Sequence, residues 1–217
     1  MIEIKGLQKL FNSGKQRVTA LDDIDLKIEK GEFLLIKGPS GCGKSTLLFC
    51  MGGLLKPTAG AVRIAGEELY SLSDRELRRY RSEKAGFVFQ SYYLLPYLTV
   101  AENIALQKKT LGAEISSEVV IEIAQGLHID HRLNHKPGEL SIGERQRVSL
   151  ARVLMVNPDI MLADEPTGNL DPENAAEVLR YLHEYQQKGG TVVMVTHGAE
   201  ADAFATRQIT MKDGKIV

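Results

Sequence analysis

The chain has 217 residues, of which 43% are hydrophobic and 25% are charged, and this composition fits one sizeable soluble domain with room for a small inserted subdomain. Its net charge of −1 argues against a nucleic-acid partner, its apolar runs are shorter than the roughly 20 residues that span a bilayer, and no cleavable leader is recognisable. Cys42 and Cys50 fit no zinc spacing and predict no structural disulfide, so we expect a cytosolic protein. If the chain works at a membrane, another protein must anchor it there.

The N-terminal segment is predicted to form an antiparallel β-layer. Residues 2–11 and 18–28 show the imperfect alternation of two strands, joined by the turn Asn12-Ser13-Gly14-Lys15 and closed by Gly31. Phe11 lies at the end of the first strand. An aromatic ring there could stack on a purine or belong to the core, and the residues alone leave both interpretations open.

The chain is organised around Gly38-Pro39-Ser40-Gly41-Cys42-Gly43-Lys44-Ser45, which fits the phosphate-loop pattern G-x-x-x-x-G-K-[ST]. A short apolar strand at 33–36 precedes it, and a helix beginning near Thr46 follows it. This arrangement aims backbone N–H groups and the positive end of a helix at one anion. Lys44 can reach the β- and γ-phosphates, and the Ser45 hydroxyl suits Mg²⁺. The stretch therefore predicts binding of a nucleoside triphosphate.

An arginine-rich helix is predicted after the next strand, which spans residues 61–64. Ser73 followed by Glu76 is a capping pair, and the helix that it begins runs to about Glu83. The basic residues in and just after this helix are Arg75, Arg78, Arg79, Arg81 and Lys84. Such a run usually forms a solvated face, and contact with lipid headgroups or an acidic partner is the alternative.

Near residue 90 a predicted strand ends and an irregular apolar stretch begins. A strand predicted at 87–89 ends at Gln90, and the following stretch to Leu98 is apolar and aromatic but is interrupted by Pro96. An irregular apolar stretch must be covered by the chain's own core or by a partner. Helices are predicted at 100–112 and 117–127. We interpret the polar segment 128–139, with His128, His131 and His135, as a surface loop rather than a metal site.

Two acidic residues follow the apolar strand predicted at 159–163. Asp164 suits the Mg²⁺ shell of a phosphate-loop enzyme, and Glu165 could polarise an attacking water as a general base. A helix cap or a surface pair is the alternative. A further strand at 191–196 ends at His197. Ligands bind at this end of strands in open α/β sheets, although a satisfied core histidine would give the same pattern.

A long helix is predicted to begin within the stretch Leu140–Val148. Ser141 and Gly143 at its start could form a second anion site, or they could simply cap the helix. The residues alone do not decide between these alternatives.

Together these motifs resemble the ATP-binding cassette (ABC) family over essentially the whole chain. The resemblance rests on their order and spacing: Gly38–Ser45 (Walker A), Gln90 (Q-loop), Leu140–Glu144 (signature), Ile160–Asp164 with Glu165 (Walker B and its base), Gly168–Asp171 (D-loop) and His197 (switch histidine), with Phe11 as the A-loop aromatic. The resemblance implies an ATPase that uses ATP and Mg²⁺.

The implied fold is α/β, with a P-loop NTPase (RecA-like) core, an N-terminal antiparallel β-subdomain and an inserted α-helical subdomain. Residues 1–217 would form one ABC ATPase domain, with the core at 1–89 and 158–217 and the helical part at 90–157. The implied catalytic residues are Glu165 and His197. The implied metal site is Ser45, Gln90 and Asp164. The implied ATP-binding residues are Phe11, Gly38, Pro39, Ser40, Gly41, Cys42, Gly43, Lys44, Ser45, Thr46 and Gln90.

The resemblance also implies a head-to-tail homodimer. Ser141, Gly143 and Glu144 of one chain would close on the triphosphate held by Lys44 of the other, with Asp171 in the D-loop. An integral membrane permease or transmitter subunit would dock through the Gln90–Leu98 region. This places the chain in the cytoplasm, peripheral to the inner or plasma membrane, with no nucleic-acid partner.

Residues 164–171 and 143–147 most resemble the branch of the family that serves lipoprotein release (LolD), macrolide export (MacB) and cell division (FtsE). The chain departs from the family in two places. Ile142 replaces a glycine, and a β-branched residue resists left-handed backbone; Glu144 replaces the common glutamine. The alternatives to a transport ATPase are a soluble ABC ATPase of DNA repair or translation, and a regulatory switch that gates an extracytoplasmic hydrolase.

Overall fold

The computed structural model describes residues 1–13 and 16–217, so Gly14 and Lys15, the last two residues of the predicted turn at 12–15, lie outside the described residues. The strands are β1 (Ile2–Ser13), β2 (Gln16–Ile28), β3 (Phe33–Lys37), β4 (Ala59–Ile64), β5 (Glu67–Glu68), β6 (Ala85–Phe89), β7 (Ile160–Asp164), β8 (Thr191–Val195), β9 (Arg207–Lys212) and β10 (Lys215–Ile216). The helices are α1 (Lys44–Met51), α2 (Asp74–Glu83), α3 (Val100–Thr110), α4 (Ser117–Gly126), α5 (Ile142–Leu154) and α6 (Pro172–Gln187).

The N-terminal β-layer is a four-stranded sheet with the order β2-β1-β4-β5, and all of its pairings are antiparallel. This confirms the predicted layer. The β1–β2 register shifts three times between Ile4 and Leu10. Such irregularities bend and twist a sheet, which explains why the alternation in the sequence is imperfect.

The second sheet has six strands in the order β10-β9-β3-β8-β7-β6. Its neighbours from β9 to β6 are parallel, and β10 pairs antiparallel with β9. Both faces are covered. Phe33 and Leu35 of β3 belong to one apolar cluster, while Leu34 and Ile36 belong to another. Since successive side chains of a strand point to opposite faces, a strand buried on both sides reads as a continuous apolar run.

The two faces of this sheet carry different helices. The buried apolar residues of α1 belong to the cluster that also contains the N-terminal β-layer. The buried apolar residues of α3, α4, α5 and, apart from Ala175, α6 belong to the cluster on the other face. The phosphate-loop helix and the helix that follows Ser141 are therefore separated by the sheet.

Three helices, α3 to α5, lie in the chain between β6 and β7, where the inserted helical part is predicted. The boundaries at residues 90 and 157 stay a prediction. Within 128–139 the predicted loop contains two short 3₁₀ helices, Asp130–Arg132 and Pro137–Glu139. In the part of the chain that the structure describes, no helix is both long and apolar enough to cross a membrane.

Candidate nucleotide-binding site

The phosphate loop joins the end of β3 to the first residue of α1, as the sequence predicts. Gly38 and Gly43 both have positive φ, at 148° and 104°. A Cβ atom at Gly38 would overlap the carbonyl oxygen of Met211, and one at Gly43 would overlap that of Ala20. These two glycines therefore let the loop curl closely past β9 and β2, which a larger residue would prevent.

Lys44 is buried at the start of α1, and its ammonium group lies back over the loop. Its Nζ donates hydrogen bonds to the carbonyl oxygens of Gly38, at 2.8 Å, and Pro39, at 3.1 Å. An ammonium group has three donors, so one is left for an anion cradled by the loop. The structure thus places the predicted phosphate contact at the centre of the loop.

Ser45 and Asp164 come together although they are far apart in the sequence. The Ser45 hydroxyl donates to Asp164 Oδ1 at 2.7 Å. Burial raises the pKa of the Asp164 carboxyl; the Ser45 hydrogen bond and Lys44 oppose this, and the Glu165 carboxylate adds to it. Mg²⁺ prefers hard oxygen ligands such as a hydroxyl and a carboxylate, and it takes its remaining ligands from phosphate and water. A bound cation would also stabilise the charge of the buried Asp164 carboxylate. The donor set fits the predicted metal.

Gln90 lies next to Asp164, because Phe89 of β6 pairs with Asp164 of β7. Its side chain nevertheless points along the segment after β7, where Nε2 donates to Asn169 Oδ1 at 3.3 Å. A Cβ atom at Gly168 would lie 2.9 Å from this amide nitrogen, so a glycine leaves room for the Gln90 side chain. The structure therefore brings Gln90 against the D-loop segment, and Asn169 is a contact that the sequence did not single out.

Glu165 and His197 form a pair at the ends of β7 and β8. His197 Nδ1 lies 3.0 Å from Glu165 Oε1. Glu165 has a left-handed backbone with φ of 48°, and its N–H donates to the Val195 carbonyl. Its Oε2 is buried and has no hydrogen-bond partner among the described residues. One oxygen of this carboxylate is thus held, and the other can accept a proton.

Phe11 is 40% exposed at the end of β1, and Lys9 Nζ lies 5.2 Å from the centre of its ring. An exposed ring is not a core residue. Of the two interpretations that the sequence left open, the structure excludes burial in the core of this chain, and the stacking role stays a prediction.

Ser141 caps α5 by the reciprocal arrangement called a capping box. Its Oγ accepts from the Glu144 N–H at 3.2 Å, and its own N–H donates to Glu144 Oε2 at 2.7 Å. Burial would raise the pKa of Glu144, but the hydrogen bonds from Ser141 and Arg132 lower it to about 2. Capping is therefore realised. A role of the same hydroxyl as an anion ligand stays a prediction.

Ile142 does not disturb the start of α5. It is the first helical residue, it is about half exposed, and it is absent from the residues with positive φ. The left-handed backbone that a β-branched residue would resist is not required here.

A hydrogen-bonded network joins the start of α5 to the start of α6. Asn174 donates from Nδ2 to Asp171 Oδ2 at 2.6 Å and accepts from Arg147 at Oδ1 at 2.8 Å. Arg147 also donates to Glu177 at 2.6 Å. A Cβ atom at Gly143 would overlap the Asn174 side chain. Sequence reasoning missed Asn174 and Arg147, although Asp171 followed by Pro172 is a recognisable helix start.

Gly143→Ala is expected to lower the free energy of unfolding by about 1–3 kcal/mol, because the new methyl group overpacks against Asn174. Adding Asn174→Ala should recover most of that loss. The measurement is denaturant unfolding of both single variants and the double variant, with Ile142→Ala as the neighbouring control. Simple addition of the two single effects would contradict the overlap.

Comparison with known proteins agrees with this geometry. The ABC transporter family model matches residues 21–168. The lipoprotein-releasing system ATP-binding protein LolD of Geobacter metallireducens is 42% identical over 220 residues, which cover 100% of this chain and 98% of that protein. The chain belongs to the ABC transporter family. A solved dimeric ATP-binding cassette, described as a post-hydrolysis state bound to ADP and Pi, matches this ABC chain with a TM-score of 0.93 and 39% identity, covering 100% of this chain and 96% of that one.

Other relatives in the ABC family are longer. The macrolide export ATP-binding/permease protein MacB of Rhodopseudomonas palustris is 45% identical over 218 residues, which are 100% of this chain and 33% of MacB. The chain thus spans about a third of such relatives. Family membership confirms the predicted α/β cassette fold and the assignment as a nucleotide-binding ATPase that uses ATP and Mg²⁺.

Proposed function

We propose that this chain is the ATPase subunit of a membrane complex of the lipoprotein-release or macrolide-export kind, and that it acts as a head-to-tail homodimer. One observation carries the dimer: Lys44 and Ser141 start helices that pack on opposite faces of the central sheet. In the proposed dimer, a γ-phosphate held by Lys44 of one chain is also gripped by Ser141 of a second copy of the chain.

Within each chain, Lys44 and the loop amides hold the triphosphate, and Ser45 with Asp164 would hold the metal. Mg²⁺ bound there would neutralise negative charge on the phosphates. Glu165 accepts the proton of the attacking water at Oε2, while His197 fixes the carboxylate through Oε1. Gln90 follows β6, whose last residue pairs with Asp164, and its side chain contacts the D-loop segment. A change at the metal site could therefore move the D-loop segment through Gln90.

The membrane partner is proposed to bind the docking stretch, Tyr92–Leu98. Tyr92 and Tyr93 have positive φ, at 58° and 48°, and their carbonyl oxygens accept hydrogen bonds from Arg152 at 2.8 and 2.7 Å. Tyr97 is 67% exposed. Strained backbone and exposed aromatic rings are typical of a surface that binds a partner, and they are not typical of a segment that packs into the core of its own chain. The chain would then work at the cytoplasmic face of the membrane.

Asn103 gives the docking stretch its shape. This buried side chain accepts from the Leu95 N–H and donates to the carbonyl oxygens of Leu95, Leu98 and Thr99, at distances from 2.8 to 3.2 Å. The stretch is therefore preformed on α3, and a partner would not have to order it on binding. A role in DNA repair or translation is not favoured, since the relatives named above serve lipoprotein release and macrolide export.

Tyr97→Asp is expected to abolish capture of the membrane subunit, because it places a charge in an apolar contact. The tagged chain is expressed in its own host and isolated from detergent-solubilised membranes, and the associated proteins are identified. Val119→Asp on α4 introduces the same charge at another exposed apolar position and should leave capture intact. Both variants should unfold at nearly the same denaturant concentration as the original chain. Equal capture by the two variants would contradict the proposed docking stretch.

A further inference from the structure

An open groove of about 1050 Å³ lies between α2 and the last turn of α3. We call it the arginine groove, and define it by Arg75, Arg78, Arg81, Gln107, Thr110 and Leu111. Gln107 joins its two walls, because Nε2 donates to the Ser82 carbonyl at 3.1 Å. This hydrogen bond connects the two helices that form the walls of the groove.

The charge in the arginine groove is not balanced by its own acids. Glu76 accepts from the Ser73 N–H and hydroxyl, and Glu83 is paired with Arg79 at 2.9 Å. Arg75 and Arg78 are exposed and form no ion pair within 4 Å of any described acidic residue.

Two further features keep the groove positive. Arg81 donates to the backbone carbonyl of Gly53 rather than to a carboxylate, so no ion pair with a described residue neutralises its charge. Lys108 and Lys109 add positive charge in the last turn of α3. The groove is therefore strongly basic in a chain whose net charge is −1.

The arginine groove lies close to the docking stretch. Helix α3 carries both, since Asn103 holds Leu95 and Leu98, and Thr110 borders the groove two turns later. At 1.5 Å per residue the separation along the helix is about 10 Å. If the docking stretch receives a membrane subunit, as proposed above, the groove comes near the surface of the bilayer. The inference below rests on that proposed function.

We propose that the arginine groove binds the phosphate-containing headgroups of anionic phospholipids. The planar guanidinium group can donate two hydrogen bonds at once to phosphate oxygens. Leu111, which is 43% exposed at the rim, supplies an apolar contact at the depth of the headgroups. The cytoplasmic leaflet is negatively charged and attracts basic clusters close to it.

A lipid fits the groove better than an acidic protein segment does. The three arginines are long side chains around an open space, and Leu111 is the single apolar side chain among the residues that define the groove. Long, positively charged side chains are sufficient to bind phosphate headgroups, whereas a protein segment also needs complementary apolar pockets for affinity. Attraction by a few basic residues without a second anchor is weak and reversible, as suits a peripheral subunit whose main attachment is a membrane protein.

The test is co-sedimentation of the purified chain with vesicles of phosphatidylcholine alone and with vesicles in which about a third of the lipid is phosphatidylglycerol. We expect binding to the anionic vesicles only, and weaker binding as salt is raised. The double variant Arg75→Glu, Arg78→Glu should bind about tenfold less or worse. It should fold normally, since acidic residues are favourable in the first turns of a helix. The control Arg180→Glu in α6 with Lys188→Glu just after the helix changes the net charge equally and should bind as the original chain does.

Two results would overturn the proposal: anionic vesicles that fail to retain the original chain, or equal retention of the two double variants. A third would replace it: normal vesicle binding by Arg75→Glu, Arg78→Glu together with lost capture of the membrane subunit in detergent would assign the groove to an acidic protein surface. The vesicles hold no membrane subunit, and the Tyr97→Asp capture experiment is read in detergent, so failure of the lipid site and failure of the proposed function are distinguishable.

Discussion

Glu165→Gln is expected to lower the rate of ATP hydrolysis by about 10²–10⁴-fold while ATP still binds. The amide has nearly the same shape as the carboxylate and can keep the contact with His197 Nδ1, but it cannot take a proton at the buried position now occupied by Oε2. The loss therefore falls on the chemical step. Lys44, Ser45 and Asp164, which hold the nucleotide and the metal in the proposed site, are left unchanged.

Steady-state phosphate release and equilibrium ATP binding measure the two effects separately, and size-exclusion chromatography in ATP should show the variant accumulating as a dimer. Glu200→Gln is the matched control, because Glu200 is a nearby carboxylate that accepts from the Thr167 hydroxyl at 3.1 Å and has no proposed role in proton transfer. It should hydrolyse ATP at close to the original rate. Turnover by Glu165→Gln at the original rate would show that another group is the base.

Much of the fold could be predicted because its signals are local. The capping pair at Ser73 and Glu76 fixes the start of α2, and the apolar run at 33–36 fixes β3. Helix α6 was not predicted, although its buried residues at 175, 178, 179 and 182 have helical spacing and Asp171 caps it. The signal for this helix is therefore present in the sequence.

Other parts of the fold carry weaker local signals. Strand β9 has mostly exposed side chains, and its alternation is limited to two apolar residues, Ile209 and Met211. Its place beside β3 depends on parallel pairing with a strand about 170 residues earlier, such as Ile36 with Ile209. Long-range pairing of this kind is decided by the packing of the whole sheet, and a window of sequence does not contain it.

The same division holds for the site. The residue types at Lys44, Asp164 and Glu165 predict their chemistry, because an enzyme with a phosphate loop also uses a carboxylate at a strand end to complete its Mg²⁺ site. The contact between Asn174 and the start of α5 could not be predicted, since it depends on the angle at which two helices meet. Nor could the separation of α1 and α5 by the sheet. That separation supports the proposal of a site shared between two chains.

Two inactive variants, Lys44→Ala and Ser141→Asp, are expected to restore hydrolysis when they are mixed. Lys44→Ala removes the phosphate contact in its own loop. Ser141→Asp keeps a good helix cap but brings a carboxylate against the phosphate held by the other chain. In a head-to-tail dimer of one variant with the other, both lesions fall in the same site, and the second site is complete.

Random pairing makes about half of the dimers mixed, each with one complete site, so the mixture should reach up to about a quarter of the original activity. The measurement is phosphate release at equal total protein, for each variant alone and for the mixture. Ser141→Asn provides the control, because asparagine also caps the helix and adds no charge, so its homodimer should be far more active than that of Ser141→Asp. If Lys44 and Ser141 acted on the same nucleotide within one chain, neither partner could complete the other, and the mixture would be as inactive as its components.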